Sequence, residues 1–512
     1  MKSTALIPFV LALPLTGQRF LHTHTLAPNQ TAAQLRPAGD TNGDGVQDFV
    51  ARIDELNPTT NQHTWFVQIV SGATGIVLQV LAAAQVANST DAAGIGDVNG
   101  DARSDVAVAT GGGLRVFSGS TGALLHTAPA VSFEGYLNVC EAGDFDGNGV
   151  PDFIGLGFNN NGQMIARVLR GTNGTQIAAG TPLSTGGSPV ATLRSLGDVT
   201  GDGRVDIAIG LDSSSVYAIR TDSWSVMWTL SQFTSESRRS IETMDLDGDG
   251  RRELIWLRPN QYIPGAPVGT ASVYGSNGVL RFVVAPRVGY EEGLQGAACA
   301  LGDLDSDGYQ DFALGLQQIP RDGVFACSGR NGSILWKVSG TLPQFLGVAM
   351  TSLADVDADG FGDFAVSTYV PAAGGQWHIV SGRILADAQP QIGACGGGPF
   401  FPRLGASRPI LGQNITITGL DGPANTSGLL VFSLRPVNPA YLGASSCFAY
   451  FDLGAGVALA PLSQPQWSLA LPVPLVPQLA GLEVALQSYY APTSGPLGLD
   501  LSNGIWARIG YQ

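Results

Sequence analysis

An acidic loop of one design recurs seven times along this chain, each copy running straight into a short apolar strand. The copies begin at Asp40, Asp97, Asp144, Asp198, Asp245, Asp303 and Asp355. Self-similarity at a period of about fifty residues calls for a repeat architecture, because one such unit cannot bury its own apolar face and must stack on its neighbours. The sixth copy is the most regular. Asp303, Asp305, Asp307 and Asp311 stand at loop positions 1, 3, 5 and 9, Gly308 stands at position 6, and Phe312-Ala313-Leu314-Gly315-Leu316 follows.

The same positions are filled by Asp40, Asn42, Asp44 and Asp48 in the first loop, and by Asp97, Asn99, Asp101 and Asp105 in the second. The third carries Asp144, Asp146, Asn148 and Asp152, and the fourth Asp198, Thr200, Asp202 and Asp206. The fifth has Asp245, Asp247, Asp249 and Glu253; the seventh has Asp355, Asp357, Asp359 and Asp363. Oxygens at every second position of a tight turn converge on one point, which is the arrangement a hard cation such as calcium takes, with roughly six to eight oxygen ligands. All of these residues are therefore candidate metal ligands, for up to seven Ca2+ ions. Two carboxylates about 4 Å apart repel by roughly 4 kcal/mol at an effective dielectric of 20, so a loop without its ion is expected to open. Ala102 at position 6 of the second loop, Asn148 at position 5 of the third and Thr200 at position 3 of the fourth mark these three as the expected weak sites.

Net charge is −15, but 24 of the 41 Asp and Glu residues lie at the loop positions, leaving 17 against 26 Lys and Arg elsewhere. The acidity belongs to the loops, and nothing in the charge pattern supports nucleic-acid binding. An EF-hand is excluded, since it needs a bidentate Glu at position 12 and flanking helices. Position 12 here reads Ala51, Val108, Gly155, Ile209, Trp256, Leu314 and Val366, and the runs that follow the loops have strand length only.

Beyond each strand comes a Ser/Gly/Thr/Asn hairpin: Ser71-Gly72-Ala73-Thr74-Gly75, Ser118-Gly119-Ser120-Thr121-Gly122, Gly171-Thr172-Asn173-Gly174, Gly275-Ser276-Asn277-Gly278 and Ser328-Gly329-Arg330-Asn331-Gly332. Thr221-Asp222-Ser223 and Ser381-Gly382 are degenerate copies. One strand entering the acidic loop, one leaving it and two around the hairpin make a four-stranded unit, and such units around an axis make a β-propeller. The fold class expected is all-β: a seven-bladed propeller followed by a small β domain.

Loop and strand together resemble the FG-GAP or VCBS repeat of the integrin α-subunit propeller and of many bacterial surface proteins, over residues 31 to 390. The Phe-Gly pair of the name is poorly kept, with Phe345-Leu346-Gly347 an approximation. The resemblance implies calcium at the loop oxygens and a role in adhesion or recognition, and it extends to the loop positions only.

Met1-Lys2 and the apolar stretch Ala5 to Leu15 read as a signal-peptide core, too short to span a bilayer, and residues 1–17 are assigned to it. The expected location is secreted or at a bacterial cell surface. Residues 18–390 form the propeller and 391–512 a β-sandwich-like tail, where Pro and Gly rise and alternating runs such as Asn414-Ile415-Thr416-Ile417-Thr418 appear. Attachment to a surface and structural capping are both open for the tail. Cys140 and Cys299 fall at equivalent inner-strand positions, Cys327 lies two strands from Cys299 and out of disulfide reach, and Cys395 with Cys447 is the one candidate pair. Phe20 to Leu26 supplies an outer strand to the last blade or else is a leader.

Calcium loops and hairpins share one face by strand order. Insertions fall on the other, in Asp54 to His63, Arg258 to Gly265 and Gln317 to Asp322, with Phe133, Tyr136, Phe233, Tyr290 and Phe345 in the links. That variable face is the expected site for an extracellular protein or glycan. No catalytic residue is assigned. His22, His24, His63, His126 and His378 have no zinc spacing, and neither a G-x-S-x-G elbow nor a Walker loop occurs. The competing class is a carbohydrate-active propeller, a polysaccharide lyase or a lectin; a quinoprotein dehydrogenase is weaker, resting on Gly329 to Trp336 alone.

Overall fold

In the computed structural model, the second strand of each blade shows why these sequences become sheets. Asp105–Thr110 and Asp206–Leu211 are buried along their whole length, since each lies between two hydrogen-bonded partners and between two neighbouring blades. A strand covered on every side reads as a continuous run of small and branched apolar residues. The outermost strand of a blade meets solvent, and in Val226–Ser231 exposed and half-buried residues intermix. The structure describes residues 18–511 except for 87–88, 130–134, 160, 184–190, 212–214, 232–239, 259–269, 285–296, 317–322, 340–344, 370–373, 391–401, 424–425, 435–439, 443–447, 452–453, 455, 463–464, 492 and 494–499. Residues 1–17, read above as a signal peptide, Cys395, Cys447, Phe133, Phe233, Tyr290 and the insertions after Arg258 and Leu316 lie outside the described residues, as does the side chain of Phe345.

Seven antiparallel four-stranded sheets follow one another. Their inner strands are Gln30–Gly39, Asp91–Gly96, Tyr136–Gly143, Ala191–Gly197, Ser240–Met244, Ala298–Gly302 and Phe345–Ser352. These contact each other in chain order, and the seventh contacts the first, so the sheets are blades of a closed seven-bladed propeller. Blades 1 to 6 are continuous in sequence. Blade 7 takes its fourth strand from the other end of the chain: Phe20–Thr25 pairs with Gln376–Val380, Thr23 opposite His378. That pairing closes the ring and explains the degenerate seventh hairpin, because at Ser381-Gly382 the chain has no fourth strand to turn into and leaves for the tail.

The core is distributed over the blade interfaces. Ala38, Val50 and Ile69 of blade 1 pack on Ala92, Val106, Val108 and Phe117 of blade 2. At the closure, Leu35, Phe49 and Ile53 of blade 1 meet Ala365, Trp377 and Ile379 of blade 7. Tyr136, expected in a link on the variable face, is instead a core residue at the start of the third inner strand, its ring against Gly155. The missing Cβ at 155 leaves the space that the ring fills. Cys140, Cys299 and Cys327 are buried free thiols.

The tail has a larger sheet, ordered Asp387–Pro390, Ile505–Arg508, Glu483–Ala491, Ser427–Leu434, Val457–Leu462, and a three-stranded sheet of Arg403–Ala406, Asn414–Leu420 and Trp467–Pro472. Leu404 and Ile417 of the second share one apolar cluster with Leu430, Leu486 and Ile505 of the first, as a sandwich requires. The strand at Asp387 places the start of the tail sheet a few residues ahead of 391. The same cluster takes in Leu304, Leu335 and Ile384, so the tail is seated on blades 6 and 7. Arg383 lies over the Tyr511 ring, 4.9 Å from its centroid, and Tyr511 packs on Phe361 inside the seventh acidic loop. No described helix is long and apolar enough to cross a membrane.

Candidate metal centres

Each acidic loop is folded by its own side chains. The first carboxylate accepts from the backbone N–H groups ahead of it, as Asp303 does from Asp307 at 3.0 Å and Gly308 at 2.9 Å. Asp40, Asp97, Asp144, Asp198, Asp245 and Asp355 accept the position-6 N–H in the same way. The fifth residue accepts from position 7: Asp44 from Val46, Asp101 from Arg103, Asn148 from Val150, Asp202 from Arg204, Asp249 from Arg251, Asp307 from Tyr309 and Asp359 from Phe361. Such Asx turns coil the backbone so that carbonyls and carboxylates face inward. At position 6 φ is positive throughout, 88° at Gly308, which is why glycine is used there; Ala102 adopts 62° regardless.

The ninth residue joins the loop to its hairpin. One oxygen of Asp311 accepts from Leu304 N–H at 2.7 Å and the other from Gly329 N–H at 3.0 Å. Asp48, Asp105, Asp152 and Asp363 make the same pair of bonds, to Thr41 and Gly72, Val98 and Gly119, Phe145 and Gly171, Val356 and Gly382. At 329 the hairpin needs glycine, because a Cβ there would stand 1.8 Å from the Gln310 carbonyl. In blade 4 Thr221 replaces it, donating its N–H to Asp206 and its hydroxyl to the Val205 carbonyl. Glu253 accepts from Leu246 N–H and pairs instead with Arg281 at 3.1 Å. These bonds put the acidic loops and hairpins on one face, as strand order requires.

Burial raises the ninth carboxylates, Asp311 to about 8, Glu253 to about 7, Asp105 and Asp363 to about 6, and neighbouring loop carboxylates add to each shift. A divalent ion beside them acts in the opposite sense, because it favours the charged form.

The third position is where the residues fit a cation. Asp146 Oδ1, Asp305 Oδ1 and Asp357 Oδ1 are buried acceptors without a hydrogen-bond donor, and so is Thr200 Oγ1 at the same position of the fourth loop. A buried oxygen with no donor costs about 1–3 kcal/mol, more if charged, and a metal ion at the loop centre removes that cost. Among the described residues, ligand oxygens come within 4.8 Å of one another in Asp144, Asp146 and Asp152; Asp245, Asp247 and Glu253; Asp303, Asp305 and Asp311; and Asp355, Asp357 and Asp359. The third loop is among these clusters although Asn148 fills its fifth position. The shared feature is Asp at position 3. In the first and second loops Asn42 and Asn99 direct their amides onto Asp44 and Asp101.

Arginines border the loops: Arg170 reaches Asp146 at 2.6 Å, Arg281 reaches Asp247 at 2.9 Å and Arg19 reaches Asp357 at 2.8 Å. Sequence reasoning missed them, as it missed the hairpin-binding role of position 9. Arg170 and Arg220 do stand one residue before their hairpins, a spacing visible once the fold is known.

A seven-bladed ring whose loops carry this ligand pattern defines a class, the FG-GAP-type propellers, and comparison with known proteins agrees. Residues 97–155 and 245–314 match the FG-GAP-like repeat family, so the chain carries FG-GAP-like repeats there. Integrin alpha-V of Gallus gallus is 26% identical over 201 residues, 34% of this chain. The match spans 19% of that integrin's length. Among solved structures, BBS1N in complex with ARL6DN covers 71% of this chain and 96% of its own at 9% identity and a TM-score of 0.46. The β-propeller domain of Cps50 (Swd1) from Myceliophteria_thermophila covers 70% and 98% at 10% identity and a TM-score of 0.44. The sheet order, independent of these two, establishes the propeller.

Proposed function

We propose that the chain is a secreted or surface-exposed bacterial recognition protein whose acidic loops bind calcium and whose opposite face binds an extracellular protein or glycan, without catalysis. The observation that carries the calcium reading is the set of buried third-position oxygens with no donor, in loops that gather three carboxylates. Calcium stiffens one face, and each blade presents its second turn on the other in fixed geometry. In blade 1 the long hairpin of Asp48–Asn57 and Gln62–Val70 carries the exposed His63, hydrogen-bonded to Asp54 at 2.8 Å and stacked on Trp65. An aromatic ring held by a neighbouring polar pair suits a sugar face or an apolar side chain of a partner.

Glycan-array and surface-binding measurements with and without chelator test this reading. Binding that depends on calcium and is weakened by Trp65→Ala supports it; calcium-independent binding, or retention of it in Trp65→Ala, counts against it. An absorbance assay for unsaturated uronate products separates the polysaccharide lyase alternative, because product formation would make the protein an enzyme.

A further inference from the structure

We propose that the tail is held on the propeller by a calcium-dependent latch, in which Tyr511 and Gln478 grip the seventh and sixth acidic loops. The latch rests on the calcium reading above and extends it to the tail. Both loops are among the four whose carboxylate oxygens cluster. Tyr511 is fixed by main-chain bonds to the chain leaving blade 7: its N–H donates to the Ile384 carbonyl at 2.8 Å and its carbonyl accepts from Ala386 N–H at 3.0 Å. Its ring centroid then lies 5.1 Å from that of Phe361, at position 7 of the seventh loop, and 4.9 Å from Arg383 Cζ. At the sixth loop, the Gln478 side-chain amide donates to the carbonyl of Ser306, at position 4, at 3.5 Å. Close by, Gly481 passes so near blade 6 that a Cβ there would stand 2.8 Å from the Leu335 carbonyl.

Both contacts abut ligand positions. Phe361 N–H donates to Asp359 Oδ1 at 3.1 Å, and Arg383 Nη1 stands 3.9 Å from Asp359 Oδ2. Asp359 is one of the clustered carboxylates, with Asp355 and Asp357. Ser306 lies between Asp305 and Asp307 and holds a φ of 59°, so its carbonyl points where the coiled loop sends it. Without an ion, the clustered carboxylates repel one another and the loop relaxes. Phe361 and Arg383 then move with Asp359, and the Tyr511 ring loses the surface it packs on. The apolar cluster shared with blades 6 and 7 still retains the tail, so the latch sets how tightly its loop-facing end is held. Coupling of this kind is reciprocal, and a docked tail tightens calcium at these loops by the same factor. Among the described residues, blades 3 and 5 contribute nothing to the cluster under the tail, so the third and fifth loops are the internal comparison.

Hydrogen exchange in the full chain, read by mass spectrometry at saturating calcium and in chelator, follows residues 477–482 and 505–511. Protection there should fall roughly 10-fold in chelator, within the usual range of coupling between sites. Asp357→Asn should lower it to a similar degree with calcium present, whereas Asp247→Asn in the fifth loop should leave it as in wild type. Calorimetry on Tyr511→Ala should show one tight calcium site weakened roughly 10-fold, with Tyr511→Phe close to wild type because the ring is kept. If Asp357→Asn does not fold, Tyr511→Ala decides. The latch is overturned if exchange in the tail is the same with calcium and with chelator while calorimetry shows calcium bound, an outcome that leaves the calcium reading standing. It is equally overturned if Asp247→Asn loosens the tail as much as Asp357→Asn, or if Tyr511→Ala binds calcium unchanged. No bound calcium at all would remove the calcium reading and the latch together.

Discussion

The sixth and second acidic loops have the same backbone and differ in what their third residue does. In both, the first carboxylate accepts the N–H groups of positions 5 and 6, the fifth accepts position 7, and the ninth ties the loop to its hairpin glycine. Asp305 keeps a buried oxygen with no donor, whereas Asn99 turns its amide onto Asp101 and Asp105 at 3.3 and 3.2 Å. Shape and ligation are thus separate properties of one motif. Positions 1, 5 and 9 build the turn from main-chain bonds, and position 3 of the sixth loop is the one that keeps an oxygen without a donor.

The largest expected effect breaks or keeps that separation outright. Adding calcium to chelated protein should raise the melting temperature by on the order of 10 °C, since several sites that bind only the folded chain add their contributions. Calorimetric titration should resolve the four clustered loops, the third, fifth, sixth and seventh, as tighter than the first, second and fourth. A calcium-independent transition in scanning calorimetry would sink the metal reading.

Two substitutions in the sixth loop sharpen the contrast. Asp311→Ala strands two buried N–H groups, so it should cost about 2–5 kcal/mol in urea unfolding even with chelator present. Asp305→Asn should be within about 1 kcal/mol of wild type under chelation, because it only relieves repulsion, yet lose one tight calcium site. The reverse order of effects would show that position 3 builds the loop and position 9 does not.

Acid sensitivity away from the loops supplies the baseline. His378, at the strand pair that closes the ring, has its Nδ1 on Thr23 Oγ1 at 2.9 Å, and burial pushes its pKa down to about 4. The unfolded chain takes up this proton near pH 6.5, so the stability is fully present above 6.5 and is lost as pH falls from there toward 4. The loss reaches about 3 kcal/mol. Unfolding followed against pH in chelator should show this limb as the difference between wild type and His378→Gln, because the ninth carboxylates, whose pKa burial raises, gain stability with acid over the same range in both proteins; a difference that does not change with pH would remove His378 as its source. The smallest effect concerns the second loop's Ala102, held at a φ of 62°. Ala102→Gly should stabilise by about 0.5–1 kcal/mol in thermal unfolding, with no new calcium site, because the third position is still Asn99.

Much of this molecule was legible because its repeats are local. The acidic loop, the strand after it and the hairpin beyond lie within one blade, so their spacing alone gives four strands and a shared face. Asp303 to Asp311 could be recognised as a ligand set from residue types and intervals, since a turn of nine residues leaves its side chains few other directions. The partner of each ninth carboxylate was less visible: Gly329 is eighteen residues beyond Asp311, and only the blade's curl brings its N–H to that oxygen. Tyr136 was misplaced because a lone aromatic in a link carries no sign of whether a glycine opposite will open a space for it.

By itself, then, the chain dictated the repeat, the strand pattern and the chemistry of the acidic loops, all of which depend on neighbours in sequence. Tertiary structure alone decided the rest. Phe20–Thr25 is joined to Gln376–Val380 across the whole length of the propeller, and the tail is seated on blades 6 and 7. Contacts between distant segments follow from how many wedges complete a circle, and that number depends on the packing angle between blades, which no single repeat encodes.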